Sequence, residues 1–299
     1  MIKCIQKLIR KSKKEGVIMN IKETMKKGMI DLKVNGIEEP KLKARLLMQF
    51  ILNKPRQYLL VYDNEPLTLR QEVDYFKGIK KIINGVPLQH ITHMQEFMKM
   101  NFYVNEDVLI PRPDTEILVE EVINIAKRIN AKKILDLCTG SGAIAVSLAK
   151  YIEDSEITAV DISKKALNVA KRNAKNNEVE NQITFIESNL FEKVKKEKYD
   201  MIVSNPPYIK KEVMKTLDRE VQKEPSIALD GGYDGLDFYR KIINKSDEYL
   251  KFSGYLCLEI GYDQKIDVIE LIENEEKYVD TYCKKDLYGN DRVIITKLS

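Results

Sequence analysis

The sequence predicts an α/β protein: a mostly parallel sheet of seven strands with helices on both faces, preceded by a small bundle of helices. Three observations lead there. From Lys132 onward, short apolar runs alternate with segments whose apolar residues recur every three or four positions, which is the signature of βαβ units. Between Met19 and about Gly85 only the helical spacing occurs. Two strand ends, "DLCTGSG" and "VSNPPY", then break into glycine or proline turns. Ligands of such sheets sit beyond the carboxyl ends of the strands.

The chain has 299 residues, which suits about two domains at roughly 150 residues each. Hydrophobic residues make up 43% and charged residues 32%, as in a globular protein in water, and no apolar run approaches the roughly 18 residues of a membrane span. The four cysteines, Cys4, Cys138, Cys257 and Cys283, form no CxxC pair, which suits a reducing cytoplasm rather than a disulfide framework. The only histidines, His90 and His93, lack acidic or cysteine neighbours at ligand spacing, so no metal site and no Ser-His-Asp or Cys-His machinery is expected.

In chain order, residues 1–18 form a basic leader, with Lys3, Lys7, Arg10, Lys11, Lys13 and Lys14 against Glu15. The whole chain carries +4, so the leader's +5 leaves −1 for the rest, and the body is not a basic surface made to coat nucleic acid. "KKEGVIM" can be encoded over a ribosome-binding site spaced before an ATG, so Met19 is expected as the native start. Residues 19–85 read as the helical domain. In it, "TLRQEVDYFKGIKKIING" opens on Thr68 with Gln71 at capping-box spacing. Residues 86–113 form a linker, in which "EFMKMNFYV" alternates like a strand or hairpin and "IPRPDTE" stiffens into a loop ahead of a capped helix. Residues 114–299 hold the sheet. Its strands are "KILDLC", "EITAVDI", "ITFIES", "YDMIVSN" and "YLCLEIG", with "YVDTYCKKD" and "DRVIITKL" closing it.

The chemistry gathers at the strand ends. Gly140 and Gly142 let the backbone turn sharply and approach a ligand closely. Asp161, at the end of the second strand, can accept hydrogen bonds from both hydroxyls of a ribose. The run is neither a complete G-x-G-x-x-G nor a phosphate loop, because Cys138 and Ile144 or Ala145 stand where glycines would help. It resembles the S-adenosylmethionine motif instead. Cys138 fits such a turn if its φ is negative. Asn189 at the third strand end can meet an adenine edge as donor or acceptor, and Leu190 can pack on the adenine face.

The corner "NPPY" suits a methyl-acceptor site. A planar amide or exocyclic amine is a poor nucleophile, and an enzyme can aim its nitrogen by holding both N–H groups. Asn205 offers a side-chain oxygen, the Pro206 carbonyl is a second acceptor stiffened by Pro207, and Tyr208 can lie over the planar group. Positioning and local electrostatics then supply most of the rate. "NPPY" alone resembles the motif of amino-methyltransferases acting on adenine, guanine or glutamine.

The combination of "IPRPDTE", "DLCTGSGAIA", "NPPYI" and "EPSIALDGGYDGLDFYR" behind a helical domain resembles the HemK/PrmC family of protein-glutamine N(5)-methyltransferases, over essentially residues 19–299. The resemblance implies a Rossmann-like, seven-stranded S-adenosylmethionine-dependent methyltransferase sheet. It implies cofactor contacts at Cys138, Thr139, Gly140, Ser141, Gly142, Asp161, Leu190 and Asn205. Its protein partner would be a bacterial peptide chain release factor, with the glutamine of the Gly-Gly-Gln loop seated against Asn205, Pro206, Pro207 and Tyr208. Arg112 of "IPRPDTE" meets that substrate or pairs with Glu116. The family pattern further suggests a monomer. The rival reading is a nucleic-acid amino-methyltransferase, which would need a basic groove and aromatic platforms for a flipped base.

Overall fold

The computed structural model describes residues 19–299, and the basic leader lies outside them. It forms two compact units, one ending at Thr92 and the other running from His93 to Ser299.

The first unit is helical. Helix α1 (Ile21–Val34) starts at a reciprocal capping box between Asn20 and Glu23. It is followed by α2 (Pro40–Leu52), the short α3 (Arg56–Val61), α4 (Leu69–Ile83) and α5 (Leu88–Thr92). The capping box expected at Thr68 and Gln71 is present at the start of α4, where each side chain satisfies the other's backbone N–H. Leu32, Leu47, Met48, Tyr75, Ile79 and Ile82 form the core of this unit. Tyr75 is fully buried, and its hydroxyl donates to the Ala44 carbonyl at 3.2 Å. The ring lies so close to α1 that a Cβ on Gly28 would sit 2.5 Å from the hydroxyl oxygen, which is why α1 carries a glycine despite its low helix propensity.

The second unit opens with an antiparallel hairpin, β1 (Gln95–Phe97) and β2 (Met100–Phe102). Its two turn residues, Met98 and Lys99, both have positive φ, the backbone sense that matches strand twist in a two-residue hairpin. Helix α6 (Pro113–Ile129) follows, and then the alternation predicted from sequence: β3 (Lys133–Leu137), α7 (Ala143–Tyr151), β4 (Glu156–Asp161), α8 (Lys164–Asn176), β5 (Ile183–Glu187), β6 (Tyr199–Ser204), α9 (Asp237–Ser246), β7 (Leu250–Glu259), α10 (Lys265–Glu273), β8 (Tyr278–Lys285) and β9 (Asp291–Leu298).

These strands form one seven-stranded sheet in the order β5-β4-β3-β6-β7-β9-β8. Strands β3 to β7 run parallel, and β9 is antiparallel to both β7 and β8. Successive residues of a strand serve opposite faces. Ile134, Met201 and Val203 pack with α6 and α7 on one side, while Leu135, Leu137 and Ile202 pack with α9 and α10 on the other. Both faces are therefore covered, as the nearly continuous apolar strands require. The order in which successive strands are added reverses between the parallel neighbours β3 and β6, and at this switch point the carboxyl ends open a crevice. The pairing of Leu137 with Ser204 brings Cys138 and Asn205 to that opening together.

Candidate active site

Beyond β3 the chain turns through Cys138, Thr139, Gly140 and Ser141 before α7 begins. Thr139 holds the turn at both ends, its N–H donating to Val160 O at 2.9 Å and its hydroxyl to the Asp136 carboxylate at 2.5 Å. Gly140 has φ +54° and Gly142 has φ +80°. At Gly142 a side chain is doubly excluded, because a Cβ would stand 2.9 Å from that of Ala170 on α8. Cys138 departs from expectation. Its φ is +61°, so the turn holds a non-glycine residue in the left-handed region, where a Cβ crowds the following carbonyl. Burial pushes its thiol pKa up, so the sulfur is a protonated apolar wall rather than a nucleophile.

Asp161 closes the other side of the turn. One carboxylate oxygen accepts from the Gly140 N–H at 2.8 Å and the other from the Ser163 N–H at 2.8 Å. The carboxylate is held rigidly by these backbone N–H groups and keeps acceptor capacity for a ligand. Burial raises its pKa, and backbone N–H groups from Ser163, Gly140 and Ile162 oppose that rise. At the end of β5, the Asn189 amide donates to Glu192 at 2.7 Å, and Leu190 has φ +49° and is nearly buried.

A cavity of about 250 Å³ lies between these strand ends. Of the residues singled out by sequence, Cys138, Thr139, Gly140, Ser141, Asp161, Asn189, Leu190, Asn205, Pro207 and Arg112 line it. Gly142, Pro206 and Tyr208 are not among its walls. Gly142 shapes the turn from behind, and Pro206 and Tyr208 belong to the adjoining corner.

That corner is gripped from several directions. Asn205 donates from Nδ2 to the Thr115 hydroxyl at 3.2 Å. Ile209 N donates to Leu229 O at 2.9 Å, and Gly231 N donates to Ile209 O at 2.8 Å, so the loop before α9 pairs with the chain just past Tyr208. Gln264, almost fully buried, donates to the carbonyls of Tyr208 at 3.1 Å and Gly235 at 3.2 Å. Burial raises the Tyr208 phenol to about 12, so it is neutral and acts as a surface rather than a base.

Arg112 does not pair with Glu116. Glu116 instead accepts from the Met98 N–H at 2.6 Å, capping the hairpin turn. Arg112 bonds Glu224 at 2.5 Å, and the other Glu224 oxygen accepts from the Ile110 N–H at 2.9 Å. One buried carboxylate thus ties the "IPRPD" segment to the loop whose Pro225, Ile227 and Ala228 wall the cavity.

From sequence Asp114 or Thr115 is expected to cap α6, but the cap position is Arg112 and Thr115 lies inside the first turn facing Asn205; sequence reasoning missed Glu224, Glu259 and Gln264. Of these only Glu259 carried a local signal, since "YLCLEIG" ends an apolar strand in a charge. Glu259 is 1% exposed, and burial pushes its pKa up to about 7. Arg292 lies beside it, bonding Asp286 at 3.1 Å and Asp114 at 3.3 Å.

The chain is similar to several known proteins. Residues 113–289 match the family described as Methyltransferase small domain, and residues 23–92 match the PrmC N-terminal domain. The chain is 41% identical to a release factor glutamine methyltransferase of Clostridium acetobutylicum, over 93% of this chain and 98% of that one. It is 40% identical to a protein of the same description from Clostridium botulinum, over 92% of this chain and 98% of that one. Among solved structures, a methyltransferase from Pyrococcus furiosus superposes with a TM-score of 0.50 at 16% identity, covering 77% of this chain and 98% of that one, a likeness of fold.

Proposed function

The chain belongs to the release factor glutamine methyltransferase family, and from that membership we propose that it methylates the side-chain amide nitrogen of the glutamine in the Gly-Gly-Gln loop of bacterial peptide chain release factors. It is an S-adenosylmethionine-dependent methyltransferase. The cavity fits that cofactor: a rigid carboxylate with remaining acceptor capacity suits a ribose hydroxyl, and Ile144, Val160, Ile162 and Leu190 form apolar walls for an adenine. The bound cofactor supplies a methyl group already activated on a sulfonium.

The chain's own residues then have positional tasks. Asp161 holds the ribose, and the turn from Cys138 to Gly142 lets backbone approach the cofactor. Asn189 faces the adenine edge, and Leu190 lies against its face. Asn205 Oδ1 and the Pro206 carbonyl accept the two N–H hydrogens of the incoming amide, aiming its nitrogen toward the methyl group. Pro207 keeps that carbonyl in place, and the neutral Tyr208 ring covers the planar group. Arg112, tethered by Glu224, orders the mouth. No strong base is needed before transfer, so the rate comes from orientation in a site sheltered from water.

The single observation that carries this reading is the placement of Asn205. It stands at the end of the central strand β6 on the cavity wall, with its amide nitrogen committed to Thr115. The helical unit up to Thr92 grips the release factor, and the enzyme works as a monomer in the cytoplasm. Support for that compartment comes from Cys138, Cys257 and Cys283, which are unpaired. Among the described residues no helix is long and apolar enough to cross a membrane.

The test is methyl transfer from labelled S-adenosylmethionine to a purified release factor, beside a Gly-Gly-Glu variant and bulk RNA and DNA. Label on the unaltered factor alone is expected. Label on nucleic acid alone would overturn the acceptor and revive the rival reading.

A further inference from the structure

We infer that Glu259 is a positioning residue for the methyl transfer: it sets the direction of a buried hydrogen-bond chain, Glu259–Thr115–Asn205, so that the Asn205 amide nitrogen faces inward and its oxygen faces the acceptor. The inference rests on the role proposed above for Asn205.

The geometry follows from register. Strands β6 and β7 are parallel neighbours, with Ser204 opposite Leu258. The next residue on each is Asn205 and Glu259, so the two side chains emerge together at the strand ends. Thr115, 4% exposed in the first turn of α6, stands against both. It accepts from Asn205 Nδ2 at 3.2 Å, and the polar groups of Thr115 and Asn205 lie near enough to the Glu259 carboxylate to favour its ionised form.

An asparagine amide is nearly symmetric in shape, and a hydroxyl can donate or accept. Neither fixes which end of Asn205 faces outward. An ionised carboxylate only accepts. With Glu259 ionised, Thr115 must donate to it and so accepts from Asn205, which leaves Asn205 Oδ1 for the incoming N–H. With Glu259 protonated, the chain can run backwards: the acid donates to Thr115, Thr115 donates to Asn205 Oδ1, and an NH₂ group is turned toward the acceptor's own NH₂. That arrangement repels the substrate amide.

Retaining this charge is costly. Glu259 Oε2 has no hydrogen-bond partner among the described residues, and an incompletely satisfied buried carboxylate destabilises a fold. The groups that face it are Thr115, Arg292, Asp114, Asn205 and the phenols of Tyr208 and Tyr239, the last donating to the Glu259 carbonyl at 2.9 Å. Arg292 favours the ionised form and Asp114 opposes it. Arg292 keeps Asp286 and Asp114 as partners, so removing the Glu259 charge does not strand it.

The experiment compares the full-length wild type with Glu259→Gln and Glu259→Leu, using a purified release factor and S-adenosylmethionine. We expect kcat to fall about tenfold in Glu259→Gln, which can still accept from Thr115 but no longer forbids the reverse direction, and about a hundredfold in Glu259→Leu. KM for the factor and Kd for the cofactor stay within threefold, and the melting temperature does not fall. In the cofactor-free protein, the Asn205 side-chain amide resonance of the wild type titrates with a midpoint of about 7. It is insensitive to pH in Glu259→Gln. Asp136, raised by burial to about 7 at the glycine turn, is unaltered in that variant, so a surviving titration would be assigned to it. A surviving titration, or a kcat within threefold of wild type in Glu259→Leu, overturns the inference. If neither variant folds, Thr115→Val carries the test: a large loss of kcat supports the chain, and an unchanged kcat overturns it. A wild type that labels no release factor defeats the reading of the site itself, whereas a wild type that labels it beside unaffected variants defeats this inference alone.

Discussion

Gly231→Ala is the sharpest probe of how the acceptor corner is held. Gly231 has no positive φ, so an alanine there brings no backbone strain and acts through its methyl group alone. That Cβ would lie 2.7 Å from Tyr208 Cα, 2.8 Å from Tyr208 C and 2.9 Å from Pro207 O. Ordinary van der Waals contact begins at 3.4 Å, so the nearest contact is about 0.7 Å too short. All three contacts are backbone atoms of the corner, and no rotamer change can relieve them. The loop cannot easily retreat, because the Gly231 N–H bonds Ile209 O at 2.8 Å and the Lys211 N–H bonds Gly232 O at 2.9 Å. The corner must therefore move by several tenths of an ångström. A misplacement of about 1 Å can cost about 100-fold in a reaction that depends on orientation, so several tenths cost about 5- to 25-fold, and the overpacking costs about 1–3 kcal/mol of stability. The expected result is a kcat lowered about 5- to 25-fold, by the scaling just cited. Kd for S-adenosylmethionine should stay within threefold, since Asp161 and the glycine turn lie on other strands. Steady-state methyl transfer, cofactor titration calorimetry and thermal melting read the three quantities. A variant whose kcat stays within threefold of wild type would refute the claim that the loop sets the position of the corner.

Asn205→Ala is expected to lower kcat by about two to three orders of magnitude, the scale of losing a transition-state hydrogen-bonding group, while cofactor Kd changes little; turnover close to wild type would remove Asn205 from the reaction. Asp161→Ala should weaken cofactor binding by about 10- to 100-fold, since hydrogen bonds to a charged group contribute about 1.5–3 kcal/mol, and an unaltered Kd would sink the ribose contact. Asp286 caps the turn between β8 and β9, accepting from the N–H groups of Tyr288 and Asn290 at 2.9 Å each and from Arg292 at 3.1 Å. These bonds lower its pKa from 3.8 to about 2 despite the opposing effect of burial. A depressed carboxylate stabilises the fold above its unfolded pKa and loses that contribution as pH falls toward the folded value. Asp286→Asn should therefore melt below wild type at neutral pH, with the gap closing between about pH 4 and pH 2; a gap that persists at pH 2 would show the effect is not the charge.

Much of the proposed cofactor side was legible as local geometry because it is written locally. The glycine pair, the strand that ends at Asp161 and the stiff Asn-Pro-Pro-Tyr corner each declare themselves within a few residues, since a tight turn or a stopped strand needs particular residue types at adjacent positions. Cys138 shows the limit of that reading. Residue type suggested negative φ, yet tertiary packing around the turn holds it at +61°, outweighing the roughly 1–2 kcal/mol preference of a single side chain.

The βαβ order, the helical bundle and the site's position at the strand ends follow from periodicity and turn chemistry, so the sequence by itself determined them. What it left open was which distant partner each polar side chain would find. Arg112 meets Glu224 across 112 positions of chain, Asn205 meets Thr115 across 90, and Gln264 clamps Tyr208 across 56. Such pairings exist only after the sheet has set its register and both faces have closed. Burial then removes water as a competing partner, and each charge or amide is left with the few groups the fold has brought within reach.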